Sequence, residues 1–305
     1  MTGALILAAG AVPEGSVIKP TDDIRGIPSI KRIILTFQQA GIKKIAVVTG
    51  YNAEETEKRC GHKSVVFLHN DDYEAEDMLG SVKIGLEYFK DKCDRVFISP
   101  ADVPFFSRDT LKKMNDTPEE AIIPICRSVA GHPILLSQGL FDKILEYDGT
   151  GGFVDAITGE GAEPRYLNVR DEGIFIDTQN YEDFYEVVEN HGLRNLRAGT
   201  KVSLSCEKDF FGPGIMLLLT LVMETGSLKQ AARSMGLSIG KAVQIVANAE
   251  GQLGFKLLES RSGGYTGGTS TVTEKTQDLM RRYEVFDSEV AEFAQVAFER
   301  NFSGF

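Results

Sequence analysis

Two aspartates stand where short apolar runs give way to turns. Asp102 lies in Val96-Phe97-Ile98-Ser99-Pro100-Ala101-Asp102-Val103-Pro104-Phe105, and Asp177 in Gly173-Ile174-Phe175-Ile176-Asp177-Thr178. Each run reads as a strand, and two carboxylates converging from separate strand ends can hold Mg²⁺ against phosphate oxygens. Aspartate serves equally well as a turn or helix-cap residue, and both uses stay open at this point. A second constellation lies at the N-terminus, where Leu7-Ala8-Ala9-Gly10 closes the first apolar run and Lys19-Pro20 follows after eight intervening residues. A turn of small residues lets backbone N–H groups approach a triphosphate, and a lysine at the far end of the loop can neutralise charge building at phosphorus. The same turn is also ordinary construction in an α/β sheet. His132, within Gly131-His132-Pro133, reads as a loop-shaping or substrate-contacting residue in preference to a general base, whereas His62, His69 and His191 have no ligand spacing.

Positioning such groups needs strands that end side by side. Ala4–Leu7, Ile45–Val48, Val65–Leu68, Val96–Ser99, Ala121–Ile125 and Pro133–Leu136 are β-rich apolar runs, and Ile30–Ala40, Ala53–Cys60, Met78–Phe89, Arg108–Met114 and Gln138–Tyr147 carry helical periodicity. This alternation predicts an α/β, Rossmann-like domain with a mostly parallel sheet, whose ligands bind in the loops beyond the carboxyl ends of the strands. After a polar, glycine-punctuated stretch at 191–199 the pattern changes. Helical runs at Gly214–Thr225, Ser227–Met235 and Ser238–Leu253 precede a glycine-rich hairpin and a long helix from Glu274 to about Arg300. The chain therefore divides into residues 1–197 and a mainly α domain at 198–305.

Composition supports two partners of different character. The 305 residues carry a net charge of −11, of which 1–199 hold −10 and 200–305 only −1; within the latter, 200–282 are mildly positive at +3. Phosphate backbones are bound by cations, so the α/β half is unsuited to coating nucleic acid and the helical half is the place to look for it. The apolar runs are too short to span a membrane. Four cysteines without a CxxC pair suggest neither a zinc knuckle nor a disulfide framework, so a cytoplasmic protein with reduced thiols is expected.

Over about residues 3–190 the chain resembles the MobA-like nucleotidyltransferases, particularly the molybdenum cofactor cytidylyltransferase branch. The opening pattern LAAGxSxRMGxxK is answered by Leu7-Ala8-Ala9-Gly10 and Lys19, and the next block by Gly26-Ile27-Pro28 and Val47-Val48-Thr49-Gly50. Asn70 with Met78-Leu79-Gly80-Ser81, Ala101-Asp102-Val103-Pro104, Gly131-His132-Pro133 and Asp177-Thr178 follow in order. The resemblance implies that Leu7, Ala8, Ala9, Gly10, Lys19, Asn70, Gly80 and Ser81 bind a nucleoside triphosphate, with CTP favoured. It further implies that Lys19 and Asp102 are catalytic, that Asp102 and Asp177 hold Mg²⁺, and that His132 contacts a phosphorylated acceptor such as molybdopterin. One position departs: Glu14 stands where the family has arginine, and Gly15-Ser16 where it has methionine-glycine. A unit charge at 4 Å interacts by about 4 kcal/mol at an effective dielectric of about 20, so a reversed sign weighs on triphosphate binding. Arg25 or Lys31 can substitute, Glu14 can bind a metal, or the domain can be a nucleotide or pterin sensor that does not turn its ligand over.

In the second half, Gly226-Ser227-Leu228-Lys229-Gln230-Ala231-Ala232-Arg233-Ser234-Met235-Gly236-Leu237-Ser238 has the helix-turn-helix arrangement, with Ser227 and Ser238 as caps and Gly236 in the turn. Ala242, Val243, Val246 and Ala249 are expected to pack inward. Over about residues 203–290 this half resembles the winged-helix domain of the molybdate-responsive regulator ModE, within the wider LysR-like group. The likeness rests on those features with the Gly263-Gly264 and Gly267-Gly268 pairs and a threonine-led final helix. It implies DNA contacts from Ser238, Gly240, Lys241 and Gln244 on a recognition helix and from Arg261 at the wing. Val243 replaces the family's usual aromatic, and winged helices also serve as protein-interaction modules. Leu279, Tyr283, Phe286, Val290, Phe293 and Ala297 share roughly one face of the last helix, which is expected to pair in a homodimer.

Overall fold

The computed structural model describes residues 1–10, 19, 21–24, 27–60, 65–74, 78–149, 151–159, 163–175, 198, 200–261 and 269–302. Asp177, Glu14, Arg25, His62, His191 and the hairpin tip at 262–268 lie outside the described residues. The chain divides into two compact units at residues 194 and 195.

The N-terminal unit is built on one mixed sheet in the order β10-β7-β9-β6-β1-β4-β5, with β8 paired to β7. Its strands are β1 (Thr2–Ala8), β4 (Lys44–Thr49), β5 (Val66–His69), β6 (Arg95–Pro100), β7 (Ala121–Cys126), β8 (Val129–Ala130), β9 (Ile134–Ser137) and β10 (Arg165–Asn168); β2 (Asp23–Ile24) and β3 (Ile27–Pro28) form a separate two-stranded ribbon. β1 is parallel to both β4 and β6, and is apolar on both faces because helices cover both. Ala4, Ile6 and Ala8 join a cluster with Ile30, Ile33, Ile34 and Phe37 of α1 (Ser29–Gln39) and with Leu111 and Met114 of α4 (Arg108–Asn115). On the opposite face Leu5 meets α3 (Met78–Phe89), which packs with α5 (Phe141–Glu146) and α6 (Gly152–Thr158). α2 (Ala53–Cys60) lies beside α1. Apolar residues of α1 recur at helical spacing and seat Phe37 against Phe97 and Phe106, with ring centroids 5.8 and 5.2 Å apart.

Two features of the sheet differ from the sequence reading. The strand expected at Pro133–Leu136 runs antiparallel, between β6 and β7, so its amino end reaches the edge at which β6 ends. The run Gly173 to Asp177, expected as a strand, instead opens with a 3₁₀ turn at Glu172–Ile174 after a fourth parallel partner, β10, that periodicity did not reveal. β10 is an exposed edge strand of sequence Arg-Tyr-Leu-Asn, in which only Leu167 is half-buried, too short and too polar to announce itself.

In the C-terminal unit, the hairpin β11 (Leu204–Ser205) and β12 (Asp209–Phe211) leads into α7 (Pro213–Thr225), α8 (Leu228–Arg233) and α9 (Ile239–Leu253). The hairpin β13 (Leu258–Arg261) and β14 (Thr269–Val272) and the 29-residue α10 (Glu274–Phe302) follow. Ser227 and Ser238 cap α8 and α9 through the amides of Gln230 and Lys241, and Gly236 takes φ +62° in the turn between them. Thr273 caps α10 by accepting from Thr276 N at 3.2 Å. Ala231, Ala232, Ala242, Val246 and Ala249 are buried between helices, as their size and spacing require, but Val243 points outward and is 50% exposed. On a 3.6-residue repeat it falls one step off the stripe formed by 242, 246 and 249. Tyr283, expected on a shared face of α10, is buried within its own unit, where its hydroxyl donates to Val202 O at 2.9 Å and its ring meets Phe211.

Candidate active site at the strand ends

Six chain segments finish along one edge of the N-terminal sheet. Register places Leu7 beside Pro100, Ala8 beside Thr49 and Thr49 beside His69, so the ends of β6, β1, β4 and β5 form a row. At about 4.8 Å per strand that row spans roughly 14 Å, the length scale of a nucleoside with its phosphates. Backbone bonds close it: Ala101 N donates to Leu7 O (2.9 Å), Tyr51 N to Ala9 O (2.8 Å) and Asn70 N to Thr49 O (2.8 Å). On the other flank, the register of β6 with β9 ends with Ile98 opposite Ile134, so His132 enters β9 from the side on which β6 runs out toward Asp102.

Asp102 is the one exposed side chain in an otherwise buried run from Ala101 to Phe106. The run is held from beneath, since the buried Ser29 hydroxyl donates to Ala101 O at 3.2 Å. Ser29 N in turn donates to Asp22 O at 2.9 Å, and Asp22 closes the turn that carries Lys19: its carboxylate accepts from Lys19 N at 2.8 Å and its amide donates to Lys19 O at 3.0 Å. Lys19, exposed, and Asp102 therefore hang on one hydrogen-bonded chain through Asp22 and Ser29. Leu7, Ala8 and Ala9 are buried, so they can offer main-chain atoms only, while Gly10 is exposed.

Asn70 and Ser81 meet at the end of β5. Both are buried, and Asn70 Nδ2 donates to Ser81 Oγ at 3.1 Å while Asn70 Oδ1 accepts from Asp72 N at 3.0 Å. Their side chains thus brace the loop that leads into α3, with Gly80 half-buried beside them. Two tyrosines that sequence reasoning passed over, Tyr51 and Tyr73, stand next to this row with ring centroids 6.3 Å apart. Nothing in their local sequence distinguishes them; Tyr51 is set at the edge by its amide bond to Ala9.

His132 donates its amide to Ile174 O at 2.6 Å and is joined to Pro133 by a cis peptide bond. Burial lowers its ring pKa from 6.5 to about 4, and Nδ1 is buried without a hydrogen-bond partner among the described residues. The ring is neutral at neutral pH, which suits a contact residue and not a cationic one. Cys60, Cys93 and Cys126 are buried, and burial pushes the Cys60 thiol up to about 12 and raises that of Cys93, so neither is an activated nucleophile.

Among the described residues no group of three or more His, Cys, Asp or Glu side chains is arranged to hold a metal ion. Asp102 alone fits what Mg²⁺ asks of a nucleotide site, where one or two carboxylates suffice and phosphates and water complete the shell. Gly240, Lys241 and Gln244 project from the first turns of α9, exposed beside the cap Ser238; Arg261 ends β13, and its side chain is outside the described residues. All five belong to the second unit.

Residues 4–163 match the profile of a family described as the MobA-like NTP transferase domain. The chain belongs to that family. Among curated relatives, a molybdenum cofactor cytidylyltransferase of Escherichia coli (strain K12) is 25% identical over 150 residues, covering 48% of this chain and 76% of that protein. A choline-phosphate cytidylyltransferase of Haemophilus influenzae is 28% identical over 146 residues, covering 46% of this chain and 61% of its own length. A solved nucleotidyl transferase from Methanothermobacter thermautotroptrophicus superposes with a TM-score of 0.52 at 19% identity, over 62% of this chain and 97% of the other. The 4-diphosphocytidyl-2C-methyl-D-erythritol synthase of Anaerococcus prevotii does so with a TM-score of 0.50 at 16% identity, over 62% and 95%. At those identities the structural matches show a shared fold alone.

Proposed function

We propose that the N-terminal unit transfers a nucleotidyl group, CMP from CTP in the favoured case, to a phosphorylated acceptor such as molybdopterin, with Mg²⁺ as cofactor. The observation that carries this reading is an exposed carboxylate, Asp102, which follows the end of β6 next to β1 and is tied through Ala101, Ser29 and Asp22 to Lys19. Cytidylyltransferases among the relatives support the choice of base. An acceptor phosphate oxygen attacks the α-phosphorus; the new P–O bond forms as the α–β bridging bond breaks, and pyrophosphate leaves with its electron pair. Main-chain amides at Ala9 and Gly10 cradle the triphosphate, Lys19 stabilises charge developing on it, and His132 orients the acceptor through a neutral ring. Bound Mg²⁺ supplies charge neutralisation at the phosphates, with Asp102 and Asp177 as its protein ligands. Pyrophosphate release across a panel of nucleoside triphosphates tests the assignment: Asp102→Ala should lower it by about a hundredfold or more, and unchanged release would refute the role of Asp102.

Glu14, in place of the family arginine, favours a second reading in which the unit binds a nucleotide or pterin without turnover. Thermal stabilisation by a triphosphate and Mg²⁺ without pyrophosphate release is its signature.

The C-terminal unit is proposed to be a winged helix-turn-helix that binds DNA. Support comes from the capped α8–α9 pair with its left-handed glycine turn and from the exposed Gly240, Lys241 and Gln244 at the start of α9. A salt-sensitive mobility shift on genomic fragments tests it. Pairing of two copies through α10 is proposed with it, because Phe286 and Phe293, one heptad apart, are 44% and 73% exposed. Sedimentation should give a dimer that Phe293→Glu converts to monomer; a monomeric wild type would overturn the pairing.

A further inference from the structure

Asp102 and His132 sit on loops from different parts of the chain, and a third segment, residues 171–174, grips both. Asp171 is 3% exposed. Its Oδ2 accepts from Ser107 N at 2.7 Å and from Thr110 Oγ1 at 2.6 Å, and its Oδ1 accepts from Gly173 N at 3.1 Å. These are bonds to a carboxylate that is itself buried, the strong, charge-assisted kind. Gly173 then lies flat on the loop that follows Asp102: a Cβ there would come within 2.1 Å of Phe105 O, a space no side chain can enter. One residue further on, Ile174 O receives the amide of His132, and a Cβ on Gly131 would come within 2.2 Å of that same carbonyl. Segment 171–174 thus holds Phe105–Ser107 on one side and Gly131–His132 on the other.

We infer that Asp171 is a positioning residue, which holds the Asp102 loop and the Gly131-His132-Pro133 loop in one fixed arrangement and thereby sets the metal requirement of the site. It touches no reacting group. The assignment rests on the nucleotidyl-transfer reading above for the role of Asp102, while the clamp itself stands on the hydrogen bonds and close approaches alone. A carboxylate is needed because both of its oxygens face donors. An amide in its place, in either orientation, turns an NH₂ toward a backbone N–H.

Asp171→Asn keeps shape and removes this match. Groups that orient metal ligands from behind commonly change metal affinity or activity by about 10- to 100-fold when altered. Measured well below its melting temperature, Asp171→Asn should raise the Mg²⁺ concentration for half-maximal pyrophosphate release by about that factor, with KM for the nucleotide at saturating metal little changed. Gly173→Ala reaches the same loop from the other side and should move the metal requirement in the same direction. Lys113→Ala is the control: Lys113 Nζ donates to Asn168 O at 2.5 Å and ties α4 to β10 farther along, so its loss should lower the melting temperature without moving the metal requirement. A folded Asp171→Asn protein with the wild-type metal requirement would overturn the inference, as would a Lys113→Ala protein shifted equally. A wild type that releases no pyrophosphate would count against the transfer reading alone. Mn²⁺ binding in the presence of CTP, followed by paramagnetic resonance, then decides the clamp: weaker binding by Asp171→Asn supports it and equal binding refutes it.

Discussion

Among the described residues α4, α8 and α9 each begin with a serine cap, and what surrounds the caps of α4 and α9 differs. Ser107 accepts from Thr110 N at 3.2 Å, donates to Thr110 Oγ1 at 3.1 Å and is anchored through its own amide to the buried carboxylate of Asp171. Ser238 accepts from Lys241 N at the same 3.2 Å, but it stands in solvent on an exposed first turn. The local chemistry of these two caps is the same. In α4 the cap is a junction of three segments and fixes the loop that presents Asp102. In α9 the cap fixes only where the helix starts, and the residues beside it stay available to a partner. A cap therefore identifies a helix start, whereas the groups behind it determine whether that start belongs to a rigid site or to an open surface.

The contrast can be broken in several places. The largest effect is expected at the strand edge: Asp102→Ala should lower the rate of pyrophosphate release by about a hundredfold or more with little change in melting temperature, since the side chain is exposed and charge stabilisation at phosphorus is worth several kcal/mol. Next comes His132. Its folded pKa of about 4 lies below the usual 6.5, so the unfolded chain takes up the proton first as pH falls. Stability contributed by the neutral ring is full above pH 6.5 and is lost between there and about 4, on the order of 3 kcal/mol. Urea midpoints should fall over that window in the wild type, and the fall should shrink in His132→Gln. The two caps give a direct comparison: Ser107→Ala should cost about 2 kcal/mol and Ser238→Ala about 1 kcal/mol in chemical denaturation, and equal costs would erase the distinction between junction and simple cap. The smallest effect belongs to Lys241→Ala, which should flatten the dependence of log K on log salt for DNA by about one and leave stability within about 0.5 kcal/mol.

Much of the fold was legible because its signals are local. β1 is apolar on both faces, α1 repeats isoleucine and phenylalanine at helical spacing, and Ser227, Ser238 and Thr273 stand immediately before their helices. What escaped depends on partners distant in sequence. Asp171 looks like any turn aspartate before a glycine, yet its bonds reach 61 and 64 residues back. The direction of β9 is set by its neighbours β6 and β7, not by its own apolar run. Val243, expected inward with Ala242, Val246 and Ala249, is half exposed, since helical phase sets it one step off their stripe. For the candidate site, the residue types and their order singled out segments that finish along one edge of the sheet. The pairing of Asn70 with Ser81 and the chain from Lys19 to Ala101 became visible only in three dimensions.

The grip of residues 171–174 on two earlier loops also has a meaning in time. A chain emerging from the ribosome exposes the segments around Asp102 and His132 well before Asp171 is made, and at roughly 5–20 residues per second that interval lasts seconds. Through those seconds the nascent chain already holds β1, β4, β6 and β9 but not the segment that bolts their edge together. Completion of the N-terminal unit is thereby coupled to translation reaching its final strand, so a truncated product ending before Asp171 would possess the sheet while lacking the locked arrangement of its loops.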